Sequence, residues 1–499
     1  MSESVMPPKP AIKPDSVPQE GFKRSIGLVS NFSLGFTYLS PGAGVLSIFA
    51  LGLATAGPPS IWWFPIVAAG QLLVALVFGE IVSQYPITGG IYPWARRLWG
   101  RRYAWMAAWI YIAALIATTT AVVQFAVPFL ANLFHVELTN VTGLAIGLGL
   151  LAVAFVLNST GTKTLAFVVR IGFYCELIGV VALGLFLLLF ERRNSFGVLF
   201  DTLGVAGEGS YLWAFTLAAL VGLWQFYGFE ACGDVAEEVK DPERRIPVAM
   251  ILTIVIGLVA AFIAYAGFVL AAPNLQEIVD GGVADPIPAI VRGSTGELGM
   301  TLLLVVAATI FLSAALSQQA ALSRLLFSFA RDNMLPGSTW LAKLHQEVAG
   351  SGSVPRNAMI AACSAPMLIT VWLYFKPDSA VQVTAFAVLG IYVCFQMVVF
   401  AALRQRIKGW RPAGPWSLGG AGLLINVLAL IYGVFAMILL ALPGDPSLGF
   451  IDRWIVLIGL AVVLVAGALY MVFVRPYGNS DAPENDAIET ADRIRAQRG

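Results

Sequence analysis

Twelve apolar runs, each long enough to cross a lipid bilayer, constrain this chain more than any motif does. A helix crossing a hydrocarbon core of about 30 Å needs about 20 apolar residues. Such runs lie near 26–53, 60–83, 104–133, 141–158, 165–190, 211–236, 247–271, 299–329, 357–375, 380–403, 418–441 and 452–474, numbered here as spans 1 to 12. Spans 3 and 8 are long enough to tilt or to project from the bilayer. Composition agrees: 58% of residues are hydrophobic and only 12% are charged, against about 25% charged in ordinary soluble domains. The expected fold class is an all-α polytopic membrane protein of about twelve transmembrane helices, with the lipid bilayer as its solvent.

Charge placement orients the chain. An even number of spans puts both ends on one face. That face collects all of the 30 Lys+Arg residues except Arg192, Arg193, Arg292, Lys376 and Arg453. The positive-inside rule makes the basic face cytoplasmic, so the expectation is a multi-pass protein of the cell membrane with both termini inside. Residues 1–24 and 475–499 are polar and are expected to be flexible cytoplasmic tails; the first lacks the apolar core and small-residue cleavage site of a signal peptide. A formal net charge of +1 gives no sign of a nucleic-acid partner. Cys175, Cys232, Cys363 and Cys394 all sit in apolar segments without metal-ligand or disulfide spacing, and read as small core residues.

Two spans contain breaks. Span 1 carries Ser40-Pro41-Gly42-Ala43-Gly44; the proline removes a backbone donor and clashes with the preceding turn. Span 6 runs into WQFYGFEACGDVAEEVKDPERRIP, Trp224–Pro247. There Gly228 lets the backbone leave helical geometry cheaply, and Glu230 is a carboxylate at a depth where charge is costly and functional by default. If residues 25–403 form two five-span repeats, 25–190 and 211–403, an odd repeat length inverts the second half, and spans 1 and 6 correspond. Interrupted helices at matching positions of two halves point to a transporter binding site. Residues 404–474 then append spans 11 and 12. Unwound turns leave amides and carbonyls that only a substrate, an ion or a water-lined cavity can satisfy, and a half-helix N-terminus favours an anionic group.

Four blocks in order and at matching spacing carry a resemblance: the PGAG of span 1, GEIVSQYPITGGIYPWARRLWG (Gly79–Gly100), GFEACGDVAEEVKDPERRIP (Gly228–Pro247) and SRLLFSFARDNMLP (Ser323–Pro336). The chain resembles the amino acid–polyamine–organocation (APC) superfamily, and within it the amino acid permeases, from span 1 to about span 10. GPPSIWW at Gly57–Trp63 is similar to the amino acid/choline branch that includes GABA permeases. The resemblance implies the APC fold, a 5+5 inverted repeat with helices 1 and 6 broken and two C-terminal helices added. It implies a secondary transporter, not an enzyme, moving an amino acid or related amine by alternating access. It further implies that Pro41, Gly42, Ala43 and Gly44 form the turn that holds a substrate carboxylate. Ala43 departs from the hydroxyl residue many relatives place there. Trp224 takes the aromatic gate position, Phe226, Tyr227, Gly228 and Phe229 cover the second turn, and Glu230 matches a carboxylate of arginine-type exchangers.

Each remaining candidate has a structural role as its alternative. Glu230 can bind a substrate amine or couple a gate to a proton, or serve only as a helix-end hydrogen bond. Glu176 lies about 17 Å into span 5, eleven residues from its start at 1.5 Å each. It stands near the place where proton-coupled relatives can carry a lysine, with the opposite charge, and is either a proton carrier or an interhelical hydrogen bond. Ser313 and Ser317 are one turn apart on span 8, where related folds build a sodium site, yet serine also serves helix packing. Thr119, Gln124, Tyr111 and Tyr392 are cavity-lining or interhelical. The charged run Glu237–Arg245 is expected to be a solvated helix end, with a gating network as the alternative. No cofactor or metal site is expected; a proton is the expected coupling ion, ahead of sodium. No nucleotide-binding loop, nucleophile elbow or zinc-protease motif is present. An amino acid/polyamine exchanger, a channel or a nutrient sensor are the competing functions; cargo and oligomeric state are left open.

Overall fold

The computed structural model describes residues 22–207, 209–283, 285–346, 353–442 and 449–498. Among these, eleven helices are long and apolar enough to span a membrane: Leu28–Ala56, Pro58–Gln84, Arg101–Leu133, Asn140–Ser159, Thr162–Phe190, Pro242–Ala271, Pro286–Arg331, Arg356–Phe375, Ala380–Ile407, Gly419–Leu440 and Ile455–Val474. Span 6 is the exception, since Tyr211–Gln225 is too short to count. The only described strands are two residues each, His345–Gln346 paired antiparallel with Ser353–Val354. The chain is an all-α polytopic membrane protein.

Burial separates the helices. Spans 1, 2, 3 and 10 are mostly enclosed by protein, whereas span 12 is almost wholly on the outside of the bundle. Its apolar surface, with Val462, Val465, Val472 and Phe473 exposed, is what a helix presents to lipid. Span 1 packs against spans 3, 5, 7 and 8, and span 6 against spans 1, 2, 7 and 8. The two ends of the described chain meet one face of the bundle. Lys240 donates its amide to Ile26 O, Phe22 packs edge-on to Phe327, and the C-terminal helix Ala487–Arg498 crosses the same face. This is the terminal face, and the opposite one is the far face.

The structure overturns two expectations. Residues 475–499 are not a loose tail through 498. Asp486 pairs with Arg97, Gln84 donates to Ala487 O at 3.0 Å, and Arg498 donates to Ala413 O at 2.8 Å. The polar sequence hid a partner, because the basic 2–3 elbow attracts the acidic stretch before the helix. Residues 1–21 of the expected N-terminal tail lie outside the described residues. Nor is the run from Glu237 wholly a solvated helix end: Lys240, Asp241 and Arg244 are exposed, but Glu238 is fully buried and pairs with the buried Arg324 of span 8 at 3.0 Å.

Candidate transport site

Span 1 breaks at Ser40, one residue before the proline. Its first helix, Leu28–Leu39, ends there, and the second, Pro41–Ala56, starts with Pro41 at its first position, where a missing N–H is no loss. Ser40 adopts φ 44°, a left-handed conformation, and its side chain caps the new helix by accepting from Ala43 N at 3.4 Å. Gly42, Ala43 and Gly44 therefore sit in the first turn of a helix. The unwound residue is Ser40.

Span 6 breaks over Phe226–Glu230, between Leu220–Gln225 and Ala231–Asp234. Gly228 has φ 108°, and a Cβ built on it would lie 2.6 Å from Leu39 N. The two interrupted turns touch through backbone at that point, and no side chain fits between them.

A buried carboxylate answers each break. Glu176 reaches from span 5 to span 1: its Oε1 accepts from Gly42 N at 2.7 Å and from Ser40 Oγ at 2.8 Å, while its Oε2 has no partner. Glu230 accepts from Gly228 N at 2.8 Å through Oε2 and from Tyr111 Oη of span 3 at 3.1 Å through Oε1. Both side chains are fully buried, and the partners of each are neutral. Gln225 bridges the breaks, donating to Ser40 O at 3.5 Å. Its Oε1 is buried without a partner and packs so closely on the first turn of the second half-helix that a Cβ on Gly44 would overlap it.

Aromatic rings lead from this centre towards the far face. Tyr38 packs edge-on to Tyr227 at 6.2 Å, Tyr227 to Trp224 at 5.7 Å, and Trp224 to Phe125 of span 3 at 5.6 Å. Phe125 lines a cavity of about 530 Å³ together with Gln124, Ser47, Asn132 and Asp285. Phe226 and Phe229 face elsewhere, packing against Phe64 and against Phe78 and Phe395. Towards the terminal face the centre is closed. Thr162 Oγ1 donates to Glu238 Oε2 at 2.7 Å while Arg324 holds Oε1. Arg331 pairs with Glu237 at 3.0 Å, and Asp332 takes Arg96 at 2.9 Å and Tyr92 Oη at 2.8 Å.

The weaker candidates separate. Ser317 Oγ lies 2.7 Å from Thr37 Oγ1 of span 1, whereas Ser313 bonds Ile310 O in its own helix. Thr119 also bonds within its helix, to Leu115 O. Gln124 lines the far-face cavity. Tyr392 pairs with Tyr432 of span 11 at 3.1 Å and stacks on Phe395, which packs against Phe229 of the second break. Sequence reading placed Ser40 in the first break without giving it a role, and assigned none to Gln225, Phe125 or Asp234. Asp234 is fully buried with both carboxylate oxygens unpartnered, four residues beyond Glu230. The one available signal was that spacing, which puts the two carboxylates on one face of a continuous helical turn.

The two broken helices thus hold buried, unpartnered oxygens between an aromatic cluster and a set of ion pairs at the terminal face. Comparison with known proteins identifies the family. Residues 25–476 match the model of the family described as amino acid permease. The chain is 26% identical over 460 residues to the amino-acid permease BAT1 of Arabidopsis thaliana, covering 85% of this chain and 86% of that one. Its rice homologue, from Oryza sativa subsp. japonica, is 26% identical over 458 residues, with the same coverage. A choline transporter of Saccharomyces cerevisiae is 25% identical over 438 residues, covering 84% of this chain and 76% of that one. This chain is a membrane transporter belonging to the amino acid permease family.

Proposed function

We propose that this permease carries an amino acid or related amine across the cell membrane by alternating access, coupled to protons. The observation that carries the reading is the meeting of two broken helices at Leu39 and Gly228, with Glu176 and Glu230 buried one at each break. A buried carboxylate with only neutral partners is costly, and a proton or a cationic cargo offsets that cost. Each is thereby a candidate coupling group. Ser317 already bonds Thr37 and Ser313 bonds its own helix, which favours protons over sodium.

The basic terminal face is cytoplasmic in this reading. The far-face cavity is then the outer vestibule, Phe125 and Trp224 the outer plug, and Glu238–Arg324 with Glu237–Arg331 the inner gate. Rocking of spans 1 and 6 against their scaffold would part those ion pairs and close the vestibule. A thermal-shift panel of amino acids and amines tests the reading, since ligands that bind the native state raise its stability. At least one amine should raise the melting temperature of the wild type and lose that effect in Trp224→Ala. A panel without such a ligand contradicts the reading. Counterflow from preloaded vesicles then separates exchange from net symport.

A further inference from the structure

The second half of span 1 begins with a helix N-terminus aimed at the site, the place where an anionic group of a cargo would dock. In this chain the place is taken. Glu176 Oε1 accepts from Gly42 N and from Ser40 Oγ, and Ser40 Oγ in turn accepts from Ala43 N. A Cβ on Gly42 would lie 3.1 Å from the same oxygen, so the carboxylate is seated directly on the turn. The second break repeats the arrangement, with the Gly228 amide given to Glu230. Several buried oxygens near the breaks stay unsatisfied, among them both carboxylate oxygens of Asp234. Glu176 Oε2 and Gln225 Oε1 lie beside the first break, and Tyr38 Oη beside the ring of Tyr227. Oxygens that lack a donor call for N–H groups, and the aromatic faces of Trp224 and Tyr227 suit a cation.

We infer that the cargo is a cationic amine without a carboxylate, selected because Glu176 occupies the anion-binding turn of span 1. A cargo carboxylate would have to displace Glu176 from Gly42 and Ser40 and would set its own acceptor oxygens against those of Glu176. An ammonium keeps those bonds intact and supplies the donors that Glu176 Oε2 and Gln225 Oε1 lack. The inference rests on the amine-carrier reading above and narrows its substrate class.

The test is a set of matched pairs differing by one carboxylate: ethanolamine and serine, putrescine and ornithine, isobutylamine and valine. Each is titrated against the full-length protein and then assayed for flux in proteoliposomes. In every pair that binds, the decarboxylated member should bind at least tenfold more tightly. Glu176→Ala, which frees the Gly42 amide, should shrink or reverse that ratio. Glu176→Gln, which keeps an acceptor on the turn but removes the charge, should give an intermediate value if the alanine variant does not fold. Equal or tighter binding of the carboxylated members to the wild type, with flux of the amino acids, overturns the inference and leaves the carrier reading intact. Absence of binding and flux for all six compounds overturns both.

Discussion

Gly228 Cα packs against the backbone of Leu39, so closely that a methyl group on the glycine would sit 2.6 Å from the Leu39 nitrogen. This contact holds the two helix breaks at one depth. It also rests on a φ of 108° that side-chain-bearing residues rarely adopt. Gly228→Ala is therefore expected to cost about 1–3 kcal/mol in backbone strain alone, with the steric overlap added. Melting temperature should fall, and transport should be lost even where the protein inserts. Wild-type stability and flux in this variant would show that the breaks can separate freely.

Glu238 and Arg324 form a buried ion pair with Thr162 on the second carboxylate oxygen. Removing one member of such a pair leaves a buried charge alone and costs about 3–5 kcal/mol. Glu238→Gln should weaken closure at the terminal face and raise the labelling rate of a cysteine placed near Thr162 from that side. Glu238→Ala together with Arg324→Leu should recover part of the lost stability while leaving the gate open. Labelling rates and melting curves on the three proteins check this.

Phe125 and Trp224 separate the far-face cavity from the breaks. Phe125→Ala removes the outer ring and should admit water-soluble thiol reagents from the far face to a cysteine at position 225. An increase of at least tenfold in modification rate is expected. An unchanged rate would mean that another side chain forms the plug.

Asp486 anchors the C-terminal segment to Arg97, with Tyr85 Oη at 3.4 Å. Hydrogen bonds to charged groups contribute about 1.5–3 kcal/mol. Asp486→Ala should loosen Ala487–Arg498 by about that amount, read as faster tryptic cleavage at Arg493 and Arg495 with the membrane core intact. Equal cleavage rates in the two proteins would show that other contacts suffice.

The spans were legible because a hydrocarbon slab leaves a one-dimensional signature in the sequence, and eleven of the twelve runs became long apolar helices. The breaks were legible through Pro41 and Gly228, whose backbone chemistry is local. Glu176 stood out by depth alone, but its partner could not be read, because Ser40 and Gly42 lie well over a hundred residues away. Glu238 was misjudged for the same reason: a charged run at a span end resembles a solvated one until Arg324 is placed opposite. The C-terminal helix was missed because its polar composition says nothing of the basic elbow it docks on. Gln225, an amide among aromatics, carried no signal until the first turn of the broken helix was packed against it.

Proton-coupled carriage of an amine is tested most directly by uptake of ethanolamine or putrescine into proteoliposomes under an imposed proton gradient, acidic outside. Saturable accumulation above the equilibrium level is expected, collapsing on addition of a protonophore and lost in Glu230→Gln protein of normal insertion. Flux that only equilibrates, ignores the gradient and survives in Glu230→Gln would contradict it.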